Sequence, residues 1–168
     1  MANSKSAPKP TISEPMTDAA ALPRPVAAIR QKILQACAKR DVEALRIPID
    51  WNEVRPLFER GAKRTPGEDP IERLKALSFD KKGDEIVAIL RNVLRQAFVI
   101  ETRGKTQMFI WPAFALKPPA DPSPEERQIM LGCVRFADLG SAAGRPAPMR
   151  VGIAADGVWH YFWSADPD

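Results

Sequence analysis

A chain of 168 residues with 45% apolar and 27% charged side chains has the length and composition of one globular domain, which argues against disorder of the whole chain. Its formal net charge of +4 comes from 25 basic and 21 acidic residues scattered along the sequence, so charge does not point to nucleic acid as a partner. There is no run of about 20 apolar residues that would span a bilayer.

Residues 1–23 have few large apolar side chains and no periodicity, and five of the 17 prolines fall in the first 25 positions. This stretch is expected to form a disordered, proline-rich tail ahead of one α+β domain over residues 24–168. Pro25 suits the start of a first helix, with Val26, Ile29, Ile33 and Cys37 at helical spacing and an end near Arg40. Asp41 can cap a short second helix through Leu45, which Pro48 is expected to stop. Asp50 can cap a third, placing Trp51, Val54, Leu57 and Phe58 on an apolar face before Gly61 closes it, with Pro56 as a kink. Asp69-Pro70 opens a fourth with Ile71, Leu74 and Leu77 on one side. The widest stripe lies between Asp84 and Gln96, in Ile86, Ile89, Leu90, Val93 and Leu94. The preceding Lys82-Gly83-Asp84 reads as a plain helix start, with Asp84 as the cap.

Ala97 to Thr102 is rich in β-branched and aromatic residues, and Arg103-Gly104 turns it into a second strand from Lys105 to Trp111. Prolines break the stretch from Pro112 to Pro122. Ser123-Pro124-Glu125-Glu126 then carries the signature of a capping box, and the helix it opens is expected to run through Ile129, Met130, Cys133, Val134 and Phe136 to Leu139-Gly140. Ser141 to Pro148 reads as a small-residue loop. The chain closes on a hairpin of Met149 to Ala155 and Val158 to Trp163 around Asp156-Gly157, a pair suited to a type I′ turn. Helices, hairpin, helix, hairpin make an α+β fold with a helical N-terminal half and a small antiparallel sheet of about four strands.

Counting outward from the last turn pairs Ala154 with Trp159, Gly152 with Tyr161 and Arg150 with Trp163 on one face, leaving Val151, Ile153, His160 and Phe162 on the other. Trp111 ends the neighbouring hairpin. Large rings over small residues, with one guanidinium, form either a core wall or a cradle for a sugar ring, a peptide or a partner's proline. The candidate ligand-binding residues are therefore Trp111, Arg150, Trp159, Tyr161 and Trp163.

Chemistry beyond binding finds little support. His160 is the only histidine and lies in mid-strand, with no nucleophile-elbow sequence to serve it. No CxxC, HExxH or EF-hand pattern supplies metal ligands, and no glycine-rich loop cradles phosphate. No metal, cofactor or catalytic residue is expected. Cys37 and Cys133 read as buried thiols, with one long-range disulfide as the alternative.

Ile110-Trp111-Pro112-Ala113-Phe114, the proline-bearing loop into Ser123-Pro124-Glu125-Glu126, and Arg150-Val151-Gly152-Ile153 with Asp156-Gly157-Val158-Trp159, Tyr161-Phe162 and Asp166 together resemble a family of small uncharacterised bacterial proteins. That family is mainly alphaproteobacterial and associated with the cell envelope, and the resemblance reaches back to Gly83-Asp84-Glu85-Ile86. It implies an exported, non-catalytic protein and supplies no catalytic residues. The N-terminal segment lacks the apolar core of a signal peptide. A Pro/Ala/Ser/Lys stretch is nonetheless common just after a signal-peptide cleavage point, so periplasmic and cytoplasmic localisation both stay open.

The residues thus favour a non-enzymatic binding or interaction module of the cell envelope that takes a protein, peptide or glycan on its aromatic hairpin face. Two rivals stand beside it. One is a small acid-base enzyme on a cone-shaped fold of the nuclear-transport-factor-2-like kind, using His160 and a nearby carboxylate; the other is a cytoplasmic adaptor with a proline-rich tail.

Overall fold

Helix α4 (Asp84–Leu94) carries the stripe expected of it, burying Ile86, Ile89, Leu90, Val93 and Leu94 together with Val87. Helix α1 (Arg24–Ala38) packs beside it through Val26, Ile29, Ile33, Ala36 and Cys37. The computed structural model describes residues 8–140 and 147–164. Within it, α4 packs on a five-stranded antiparallel sheet whose spatial order is its chain order: β1 (Thr11–Ile12), β2 (Val99–Arg103), β3 (Thr106–Trp111), β4 (Met149–Ala154) and β5 (Trp159–Ser164). The protein is α+β. Phe109, Trp111, Val151, Ile153, Trp159 and Phe162 point from the sheet into the helical core. A second, smaller cluster of Val99, Ile110 and Ala113 lies apart from that core. Among the described residues no helix is long and apolar enough to cross a membrane.

The sheet has one strand more than the sequence suggests, and it comes from the stretch expected to be disordered. Thr11 and Ile12 pair with Thr102 and Glu101, Ser13 exchanges bonds with Ile100, and Met16 pairs with Phe98. Leu22 is buried. The composition that hides this segment is real, but β2 otherwise leaves a row of backbone donors and acceptors without partners, and a short polar strand is enough to satisfy them.

Prolines act differently from expectation in the middle of the chain. A 3-10 turn over Val42–Leu45, capped by Asp41, leads straight into helix α2 (Arg46–Trp51), which includes Pro48. Pro48 is tolerated because it is the third residue of the helix, in the first turn, where an N–H has no intrahelical partner to lose. The third helix expected from Asp50 to Gly61 does not form. Pro56 removes a donor and holds Arg55 away from helical geometry, and the chain crosses instead to β5, where Leu57 makes a parallel bridge with Tyr161. Trp51, expected on an apolar helical face, is 54% exposed, with the Lys32 ammonium 4.6 Å above its ring.

Asp69 caps helix α3 (Pro70–Leu77) as its sequence suggests. The capping carboxylate ahead of α4, however, is Asp80 rather than Asp84. It accepts from the N–H groups of Lys82, Gly83 and Glu85 and from the Ser78 hydroxyl. Burial pushes its carboxyl up, but these bonds outweigh that and hold it at about 2. The capping box of Ser123 and Glu126 is formed, yet helix α5 (Pro124–Leu131) ends eight residues before Leu139 and buries none of its own side chains. Cys133 and Val134 are buried just beyond it. Phe136 is exposed and packs tilted against Phe79, with centroids 4.5 Å and planes 53° apart, the backbone N–H groups of both donating to Glu85 at 2.9 Å. Cys37 and Cys133 are both buried free thiols, each pushed up to about 12 by burial, with Arg91 opposing the rise at Cys37. The loop expected over Ser141 to Pro148 lies mostly outside the described residues.

Candidate functional site

The turn of the last hairpin decides where its aromatic rings go. Type I′ geometry would need positive φ at both Asp156 and Gly157, but among the described residues the only non-glycine positions with positive φ are Arg40 and Lys81. Gly157 alone is left-handed, at φ +89°. Its N–H donates to the Ala154 carbonyl at 2.8 Å, and the Ala154 N–H donates to the Val158 carbonyl at 2.9 Å. This is a three-residue loop of Ala155, Asp156 and Gly157 with a glycine bulge. The Asp156 side chain accepts from the Val158 N–H at 3.0 Å. A Cβ on Gly157 would lie 2.7 Å from Pro25, so the glycine also lets the hairpin tip dock against the start of α1.

The extra loop residue shifts the register by one position. Trp159 therefore pairs with Ile153, not with Ala154 as expected, and a second irregularity at His160 restores the pairing of Gly152 with Tyr161 and Arg150 with Trp163. A one-residue slip moves a side chain to the opposite face. Trp159 accordingly sits in the helical core at 0% exposure, edge-on to Phe58 at 6.1 Å, its indole N–H donating to the Tyr161 carbonyl at 3.0 Å. Asn52 grips its backbone from outside, accepting from the Trp159 N–H at 2.9 Å and donating to the Trp159 carbonyl at 2.7 Å. Trp111 is likewise core, 1% exposed and packed against Phe98 at 5.3 Å. Of the five candidate residues, then, Trp111 and Trp159 are packing residues.

The other three share the outer face of the sheet. Tyr161 and Trp163 lie parallel, centroids 4.1 Å apart and planes 5° from coplanar. Tyr161 is seated on Gly152, where a Cβ would come within 2.4 Å of its ring, so the glycine is what allows the ring to lie flat. Burial pushes the Tyr161 phenol up to about 12, with the Glu101 charge adding to the rise and Arg150 and Arg103 opposing it. Arg103 is itself paired with Glu101 at 2.6 Å. Arg150, across from Trp163, donates from Nη2 to the Ala115 carbonyl at 3.4 Å.

That bond brings Arg150 to the edge of a cleft of about 540 Å³ between the proline-broken loop and α5. Phe114, Ala115, Pro118, Pro119 and Pro122 form one wall. Arg127, Met130 and Leu131, three and four residues apart on one side of α5, form the other, with Val134 behind them. Pro148 and Arg150 close the end nearest the sheet. Leu131 is 50% exposed. A helix with no buried side chain, whose Met130 and Leu131 line an open cleft, is not there to complete the core. Arg150 is the one predicted residue that lines this cleft. The rest escape a sequence reading because the cleft joins two segments that read separately as a breaker loop and a core helix; the proline cluster beside an apolar helical stripe is the available signal.

His160 is half-buried, and its carbonyl accepts from the Leu57 N–H at 2.9 Å, which ties that position to the sheet edge. Among the described residues no three His, Cys, Asp or Glu side chains gather closely enough to hold a metal ion. The basic residues Arg55 and Arg64 have local structural duties, Arg64 donating to the Arg55 carbonyl at 3.1 Å and Arg55 to the Glu68 carbonyl. No family model matches the chain, and neither a curated protein nor a solved structure matches it.

Proposed function

We propose that the protein is a non-enzymatic binding module whose recognition surface is the cleft between the proline loop and α5, continued by the outer hairpin face of Arg150, Tyr161 and Trp163. The observation that carries this reading is the cleft itself. Its volume of about 540 Å³ falls in the range of sites for small ligands or a few side chains of a partner, roughly 300 to 1,000 Å³. Its walls are largely apolar, and Met130 and Leu131 on the α5 side are side chains that the core leaves unburied. Prolines limit how far the loop wall can rearrange, which lowers the ordering cost of binding. The resemblance of the Trp-Pro and Asp-Gly-Val-Trp segments to small envelope proteins supports the bacterial cell envelope as the place where it works.

The fluorescent probe 1-anilinonaphthalene-8-sulfonate tests the cleft directly. The folded protein should bind it saturably, with enhanced, blue-shifted emission and unchanged near-ultraviolet circular dichroism. Ala120→Trp at the rim and Ala115→Trp in the wall should weaken binding at least tenfold, while Trp51→Ser, at an exposed ring outside the cleft lining, leaves it unchanged. Binding that is lost in Trp51→Ser and indifferent to both cleft variants would overturn the proposal, as would no binding.

A further inference from the structure

We infer that a hollow in the loop between α2 and α3 binds a dianionic phosphoryl group, either as free phosphate or as the phosphate of a small monoester. The hollow shares no lining residue with the cleft, so the inference does not depend on that site. Leu57 is tied to β5 by backbone bonds to His160 and Phe162, and Gly61 and Gly67, at φ +77° and +82°, turn the chain on either side of Lys63 and Arg64. The turned segment closes back on its own start. Arg64 donates from Nε to the Arg55 carbonyl at 3.1 Å, and Arg55 donates from Nη1 to the Glu68 carbonyl. The space these residues enclose is about 60 Å³, backed by the buried Pro56 and Phe58. One water needs roughly 10 to 15 Å³, so the hollow takes about four to six heavy atoms. That suits a tetrahedral oxyanion and falls far below the roughly 300 to 1,000 Å³ of a site for a whole small ligand, so any ester group must lie outside.

Charge selects an anion. Four cations line the hollow, Arg55, Lys63, Arg64 and Arg73, against two carboxylates, Glu59 and Glu68. Both carboxylates are engaged by the same residue, Arg73, at 3.6 and 3.3 Å. The bonds of Arg55 and Arg64 go instead to carbonyl oxygens, which leave the guanidinium charge in place. With Lys63 the lining therefore carries an excess of two positive charges, which a dianion balances and a carboxylate only halves. Geometry narrows the anion further. Among the described residues Arg64 spends only Nε and keeps the paired N–H groups of Nη1 and Nη2, whereas Arg55 spends only Nη1 and keeps the edge formed by Nε and Nη2. Each is a two-pronged edge that matches two oxygens of one phosphoryl group. Because a backbone bond already holds each guanidinium, less rotamer freedom is lost when the anion arrives. Arg55, Lys63 and Arg64 are exposed, so the affinity falls as salt rises.

The test titrates the full chain with inorganic phosphate, and separately with acetate, at pH 8 and one fixed low ionic strength, read by nitrogen-15 correlation spectra. Phosphate should shift the amide signals of residues 55–73 saturably and bind at least tenfold more tightly than acetate. Lys63→Gln and Arg64→Gln should each weaken phosphate at least threefold, and together at least tenfold. Lys105→Gln, which removes one charge from the turn between β2 and β3, should leave it unchanged. Glycerol 3-phosphate separates the two sources: tighter binding than free phosphate assigns the hollow to a monoester, and equal or weaker binding assigns it to the free ion. Equal affinities for phosphate and acetate in the unaltered protein, a comparison that needs no variant, would overturn the inference. So would saturable shifts centred outside residues 55–73, a loss in Lys105→Gln as large as that in Arg64→Gln, or no binding.

Discussion

A single added carbon at Gly152 would sit 2.4 Å from the Tyr161 ring, whereas Trp159, two residues before Tyr161 on the same strand, is buried against Phe58 on the other side of the sheet. The hairpin therefore gives its aromatic residues opposite duties. Trp159→Ala removes a fully buried ring and should cost about 3 to 5 kcal/mol in urea or thermal denaturation. Trp163→Ala removes a half-buried ring from the outer face and should cost about 1 kcal/mol or less. Equal losses at the two positions would mean that the register described for β4 and β5 is wrong. From sequence, alternation alone correctly pairs Tyr161 with Gly152 and Trp163 with Arg150. It misplaces Trp159 because Asp-Gly is compatible with two turn geometries that differ by one loop residue, and the longer one forms here, with Gly157 against Pro25.

Among the elements, those with a long apolar period are the most legible. α1 and α4 bury the residues their spacing indicates, since about three to four turns of consistent phase leave little ambiguity about which side faces the core. Short elements are not legible in the same way. β1 has two residues, and its reason for existing lies in the unpaired edge of β2, 87 residues further on. α5 shows the opposite failure, a well-formed capping box opening a helix whose apolar residues face a cleft. Deleting residues 1–16 tests the contribution of β1. Removing its pairing and the contact of Met16 with the core should cost about 2 kcal/mol, or about 4 to 8 °C of melting temperature for a chain of this size. An unchanged melting temperature would show that the N-terminal strand adds nothing to the sheet.

For the whole molecule, the α+β class is readable from the order of helices and hairpins, but the cleft is not, because it exists only once the proline loop, α5 and the end of β4 are brought together. Among the described residues, apolar side chains are exposed at the Phe79–Phe136 pair and at two further places. One is the cleft, bounded by Arg150; the other is α2, where Ile47 and Trp51 are exposed, with Lys32 over the indole and the exposed Val54 just beyond the helix. We propose that binding belongs to the cleft. A nitrogen-15 correlation spectrum of the full chain, recorded during titration with 1-anilinonaphthalene-8-sulfonate, separates them residue by residue. Chemical-shift changes should concentrate at residues 114–134 and 147–150 and at the Trp163 indole, leaving residues 46–54 and the Trp51 indole in place; changes centred on residues 46–54, with the cleft residues unmoved, would contradict that assignment.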